Sequence, residues 1–114
     1  MEVIEIDRGE AVVLELKGRF DSGSAPEVDS KIKKALENGA TKIILGFSGL
    51  EYISSAGIRV LVQCTKELEK KGGMVLLAAV PKSIENVLYI TGFLPYFKTF
   101  VNIDKALLSV GEKK

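Results

Sequence analysis

The chain has 114 residues, 46% of them hydrophobic and 27% charged, an ordinary globular composition that excludes a disordered or collagen-like chain. Sixteen basic residues against 15 acidic ones leave a net charge of +1, too little for the broad field that draws in nucleic acid or a membrane surface. One cysteine and no histidine exclude a disulfide framework, Cys/His zinc sites and every Ser-His or Cys-His nucleophile pair.

The length suits one core, expected over residues 1–110, with a frayed tail at 111–114. The longest apolar run, Met74 to Val80, falls far short of the ~20 residues that span a bilayer. Met1-Glu-Val-Ile-Glu-Ile-Asp7 carries acids where a signal peptide has lysines and an apolar block. These features predict a cytoplasmic protein with Cys64 buried and reduced.

In chain order, Ile4 and Ile6 alternate with acids, Arg8-Gly9-Glu10 turns the chain, and Val12, Leu14 and Leu16 alternate in a second strand that is expected to end at Gly18. Ser24-Ala-Pro-Glu27 matches a capping box with Pro26 in the first helical turn. Val28, Ile32, Ala35 and Leu36 form the apolar stripe of that helix. Glu27–Lys31 and Asp29–Lys33 are favourable i,i+4 pairs on its wet side, and Asn38-Gly39 is its stop.

Ile43, Ile44 and Leu45 are consecutive and apolar, the pattern of a central strand covered on both faces. A second helix is expected from about Ala56 to Lys71, with Ile58, Leu61, Val62, Thr65 and Leu68 inward and Gly72-Gly73 ending it. Met74 to Ala79 reads as another buried strand. Pro81 opens a short helix with Ile84, Val87 and Leu88 inward, stopped at Gly92. A short strand at Phe97 to Val101 and a helix from about Asn102 to Val110 complete the order ββαβαβαβα. This predicts an α/β fold: a mostly parallel central sheet, an antiparallel N-terminal hairpin and flanking helices. Such sheets carry function where strand ends meet helix N-termini.

Standard cofactor fingerprints are missing. No two of the 11 glycines are two residues apart, which excludes G-x-G-x-x-G, and no Gly-Lys-Ser/Thr is present for a phosphate loop. The central strand runs into Gly46-Phe-Ser-Gly49 without a carboxylate, so a phospho-acceptor aspartate of the receiver type is excluded as well.

The segment Leu50-Glu-Tyr-Ile-Ser-Ser-Ala-Gly-Ile-Arg-Val-Leu61 carries the functional signal. Ser54 and Ser55 sit where a buried strand gives way to a helix. Either serine is a natural N-cap, worth about 1 kcal/mol; a helix N-terminus also suits a phosphate, bound or covalently attached. Tyr52, Ile53 and Ile58 flank the pair. The aromatics of Phe93-Leu-Pro-Tyr-Phe97 either close the core or extend an apolar patch there.

Gly18-Arg-Phe-Asp21 after the second strand, together with Tyr52-Ile-Ser-Ser-Ala-Gly-Ile-Arg59 at the second helix, resembles the STAS domain, and more closely the bacterial anti-sigma-factor antagonists (anti-anti-sigma factors). The likeness in layout runs from about Val3 to Leu108. It implies a STAS-like single domain that regulates transcription by binding an anti-sigma factor, itself an ATP-dependent serine kinase, and so freeing a sigma factor. It further implies that phosphorylation of the serine two residues before the helix-start glycine switches the antagonist off. Here that serine is Ser55, and Ser54, standing where members often carry Asp, is a second candidate acceptor.

The partner-contact set expected around the phosphoacceptor is Asp21, Tyr52, Ile53, Ser54, Gly57, Ile58 and Arg59, because interfaces favour aromatic and arginine anchors. Asp21 either caps the loop before the first helix or touches the partner, and Arg59 is placed to reach a partner or a phosphate. No cofactor or metal is expected in the chain itself; ATP and magnesium belong to the partner kinase, and a phosphatase is a possible second partner. Lys31, Lys33, Lys34, Lys66, Lys70 and Lys71 are mixed with acids on helix exteriors and read as solvated, so neither nucleic acid nor membrane is a direct partner. The alternatives are a small-ligand or nucleotide sensor using the same helix N-terminus, and a hydrolase with Ser55 as nucleophile, for which no base is in sequence view.

Overall fold

The computed structural model describes residues 1–111; the last three residues of the expected tail, 112–114, lie outside them. The alternating N-terminal segments pair as predicted. β1 (Glu2–Arg8) and β2 (Ala11–Phe20) form an antiparallel hairpin, and Gly9 turns it with φ +78°, a value that suits a residue without Cβ. β3 (Lys42–Ile53), β4 (Met74–Ala78) and β5 (Lys98–Phe100) add in parallel, giving the sheet order β1-β2-β3-β4-β5. α1 (Ala25–Glu37), α2 (Ser55–Lys70), α3 (Lys82–Ile90) and α4 (Ile103–Ser109) connect or follow the strands, with a 3₁₀ turn at Leu94–Tyr96.

The consecutive apolar residues of β3 separate onto two faces. Ile43 lies beside Val12 and Val75, and Leu45 beside Leu14 and Leu77, all under α1, α2 and α3. Ile44 lies beside Val13 and Leu76 on the opposite face, where α4 covers it with Ala106 and Leu107. Ile43, Ile44 and Leu45 are all fully buried. Their uninterrupted hydrophobicity follows from that double cover. Gly46 continues the α4 face: a Cβ there would stand 3.1 Å from Ile103, so the bare backbone lets α4 lie close to the sheet.

Two strands run further than their apolar blocks suggest. β2 continues through Gly18 to Phe20, and β3 continues through Gly46-Phe-Ser-Gly49 to Ile53. The register shifts after Glu15 and again between Gly18 and Arg19, so Gly18, at φ +106°, marks an irregularity within the strand instead of its end. Phe20, Phe47, Leu50 and Ile53 are buried along this extension, and that burial holds it in the sheet.

The start of α1 differs from a capping box. Ser24 has helical backbone angles (φ −103°, ψ −16°) and makes no side-chain cap bond. Its hydroxyl turns back to donate to the Arg19 carbonyl at 2.6 Å and accepts the Asp21 amide at 3.0 Å. The Asp21 carboxylate takes the capping work instead, accepting the amides of Gly23 (3.0 Å) and Ser24 (3.2 Å). Among the expected surface pairs, Asp29–Lys33 closes at 3.1 Å. Smaller boundary differences follow the same physics: β4 stops at Ala78 because Ala79 turns to φ +57°, and β5 spans only Lys98–Phe100.

Candidate functional site: the β2–β3 end and the start of α2

β2 and β3 end side by side, Arg19 opposite Tyr52 and Phe20 opposite Ile53. The next amide, that of Ser54, donates to the Phe20 carbonyl at 2.9 Å, so the chain is still tied to β2 as α2 begins. Ser54 is extended (φ −97°, ψ 174°) and is the N-cap: its hydroxyl accepts the Gly57 amide at 3.3 Å, and its carbonyl accepts the Ile58 amide at 3.0 Å. Ser55 is the first residue of α2 and is exposed; among the described residues its hydroxyl has no hydrogen-bond partner. The first turn of α2 holds no acidic residue.

Gly57 explains the small residue in this turn. A Cβ at position 57 would stand 2.7 Å from the Phe20 carbonyl and 3.0 Å from atoms of Ile53 and Phe20, so only glycine lets α2 start this close to β2. Ile53, Gly57 and Ile58 are correspondingly buried, Ile53 and Ile58 at 3% and 5% exposure. They form the support of the site and offer little area of their own. Tyr52 (40% exposed) and Arg59 are on the surface. The aromatics of the later loop divide: Phe97 closes the core, Phe93 is half-buried, and Tyr96 is exposed.

Arg19 belongs to this surface and is absent from the expected set. Its guanidinium carbon lies 4.2 Å from the centre of the Tyr52 ring, and its Nε is 3.6 Å from Asp21 Oδ2. The ring face and the carboxylate together hold a long cationic side chain in one place. The signal lay in the strand register: once β2 reaches Phe20, Arg19 is the cross-strand neighbour of Tyr52. Reading Gly18 as the end of the strand hid it. Asp21 loses some hydration in the turn, which pushes its pKa up, but the Ser24 and Gly23 amides, the Ser24 hydroxyl and Arg19 outweigh this and hold the carboxyl below its ordinary value. It is a permanent anion near neutral pH.

On the other side of Ser55, a cleft of about 320 Å³ opens between α2 and the turn after α3. Ile58, Val62 and Phe93 supply its apolar lining, and Ser55, Arg59, Gln63 and Thr91 complete it. Arg59 is the only charged side chain in that lining, and among the described residues it makes no ion pair. Cys64 takes no part in the site: it is 3% exposed, and burial, with the nearby carboxylates of Asp29 and Glu67, pushes its thiol up to about 12. No helix among the described residues is long and apolar enough to cross a membrane.

The arrangement is an exposed, unengaged hydroxyl at a helix start, with an anchored arginine–tyrosine pair at the adjoining strand ends and an apolar cleft along the helix. Comparisons with known proteins place it in a family. The STAS domain model matches residues 3–106. BtrV of Bordetella bronchiseptica, named as a candidate anti-sigma factor antagonist, is 30% identical over 82 residues, covering 72% of this chain and 71% of that protein. An anti-sigma F factor antagonist of Lysinibacillus sphaericus is 28% identical over 94 residues, covering 82% of this chain and 80% of that protein. Among solved structures, the anti-sigma factor antagonist SpoIIAA in its unphosphorylated form superposes with a TM-score of 0.83 at 21% identity, over 99% of this chain and 100% of that one. The phosphorylated form of the Bacillus SpoIIAA gives 0.75 at 23% identity, over 96% of this chain and 99% of that one. At those identities the likeness is one of fold, and it includes the antiparallel first hairpin on an otherwise parallel sheet. The chain belongs to the STAS-domain family of anti-sigma-factor antagonists.

Proposed function

We propose that this protein is a cytoplasmic regulatory antagonist in a bacterium. It binds an anti-sigma factor that is also a serine kinase, releases a sigma factor, and is switched off when Ser55 is phosphorylated. The observation that carries the choice of Ser55 is the division of labour between the two serines. Ser54 spends its hydroxyl on the Gly57 amide, whereas the Ser55 hydroxyl is exposed and unengaged. An acceptor oxygen that a kinase must reach is better supplied by the second. That the Bacillus SpoIIAA has been solved in a phosphorylated form supports a phosphorylation switch in this family. ATP and magnesium are supplied by the partner, and the chain itself catalyses nothing.

The physics of the switch needs only the site. Phosphate adds about −1.5 to −2 charges. At the start of α2 it meets the positive end of the helix, a contact worth about 0.3–1 kcal/mol, so the fold tolerates it. Packed against a partner, the same dianion faces desolvation and repulsion of several kcal/mol, enough to weaken binding about 100-fold or more. Incubation with the partner kinase and ATP, followed by peptide mass mapping, tests the acceptor. Phosphate on Ser55, lost in Ser55→Ala and kept in Ser54→Ala, is expected; phosphate on Ser54 alone moves the acceptor by one residue, and phosphate on neither removes the switch.

A further inference from the structure

Ser55 and Arg59 line one side of the cleft between α2 and the turn after α3, four residues apart on the same helix. Residues at that spacing lie one above the other, with Cβ atoms about 5–6 Å apart, and an anion placed first with a cation second is the favourable order. Arg59 is exposed, makes no ion pair among the described residues, and is the only charge in the cleft lining. The first turn of α2 has no acid to compete for it.

We propose that Arg59 receives the phosphate of phosphorylated Ser55, and that the resulting pair lies along the α2 wall of the cleft, beside Ile58 and Val62. This rests on the reading of Ser55 as the phosphoacceptor and deepens it. In the modification, Ser55 Oγ forms a bond to the γ-phosphorus of a nucleoside triphosphate as the bond to the β–γ bridging oxygen breaks. The nucleoside diphosphate leaves and the hydroxyl proton passes to solvent. The product carries three acceptor oxygens within reach of a planar guanidinium that offers paired donors. Phosphorylation then does two things at this wall: it adds negative charge, and it turns the Arg59 side chain towards the start of α2. Arg59 is a positioning residue for the phosphate, with no part in its transfer.

The test uses the full chain with phosphoserine inserted at position 55 during translation, which needs no kinase. Phosphorus NMR follows the second phosphate ionisation against pH, and methyl NMR follows Ile58 and Val62. The parent is expected to titrate at least about half a unit below Arg59→Gln, with Arg59→Lys between them, because a nearby cation favours the dianion. Phosphorylation is expected to shift the Ile58 and Val62 methyl signals in the parent and to shift them less in Arg59→Gln. Coincident titration curves for parent and Arg59→Gln, or equal methyl shifts in both, overturn the proposal. Arg59→Lys keeps the charge and guards against a spectral change caused only by repacking. A partner kinase that ignores Ser55 overturns the functional reading alone and leaves the Arg59 contact decided by these titrations.

Discussion

The Phe20 carbonyl and Gly57 are in contact so close that a Cβ on residue 57 would stand 2.7 Å from the oxygen. The same oxygen accepts the Ser54 amide at 2.9 Å. One backbone atom at the end of β2 therefore sets both the N-cap of α2 and the height of its first turn. The position of Ser55 follows from it.

Gly57→Ala is expected to force α2 away from β2 and to cost about 1–3 kcal/mol, as overpacked sites do. Gly23→Ala is the control: its Cβ would meet nothing nearer than Asp21 Oδ1 at 3.4 Å, an ordinary contact. Its cost is expected below about 1 kcal/mol. Urea denaturation of the two variants checks the ranking, and equal losses would show that the Phe20 contact is not the constraint.

Ser24→Ala removes a buried hydroxyl that donates to the Arg19 carbonyl at 2.6 Å and accepts the Asp21 amide at 3.0 Å. A loss of about 1–2 kcal/mol is expected, because both backbone groups lose a partner. The chain has no tryptophan, so with the exposed Tyr89 and Tyr96 replaced by Phe, tyrosine fluorescence also reads whether the Arg19–Tyr52 stack loosens in the variant.

The α/β class, the element order and the two-faced burial of Ile43 to Leu45 were legible in the sequence, because hydrophobic pattern reports burial directly. The true lengths of β2 and β3 were not. Gly18 and Gly46-Phe-Ser-Gly49 look like turns, yet Phe20, Phe47, Leu50 and Ile53 are buried in the larger core, on the face opposite α4, and keep both strands in the sheet. The spacing of Ser24 to Glu27 points to a cap, whereas the Asp21 carboxylate takes the free amides. In the site, the Ser54–Ser55 position and the exposure of Tyr52 and Arg59 were accessible from pattern and spacing. The helical stripe also points Ile58 inward, where it lies; the burial of Ile53 and Gly57 is not legible, since a short apolar run beside a helix start does not reveal which side faces the core. Arg19 stands in the Gly18-Arg-Phe-Asp21 stretch, but its place beside Tyr52 follows only from the strand register.

Stability at low pH should depend on Asp21. Its folded pKa is depressed, so its contribution is present above the ordinary value of 3.8 and is lost as pH falls through the lower folded value. Asp21→Asn is expected to be less stable than the parent at neutral pH and to converge with it in strong acid. Denaturant midpoints at the two extremes check this; a constant difference would place the role of Asp21 elsewhere.

Cys64 gives the opposite limb. Its folded pKa is raised from 9.0 to about 12, so the unfolded chain ionises first. Its contribution is complete below pH 9.0 and is lost as pH rises towards 12. Cys64→Ala is expected to flatten the alkaline fall in stability, and the native thiol is expected to react with a disulfide reagent only on unfolding. Rapid reaction of the folded protein at neutral pH would contradict the burial.

The central claim is that phosphate on Ser55 breaks an interface and spares the fold. Titration calorimetry of the partner anti-sigma factor into the unmodified protein and into the protein carrying phosphoserine at 55, with circular dichroism of both, tests it most directly. Binding weakened about 100-fold or more with superimposable dichroism is the predicted result. Unchanged affinity, or a phosphorylated protein that has lost its helices, would contradict the account.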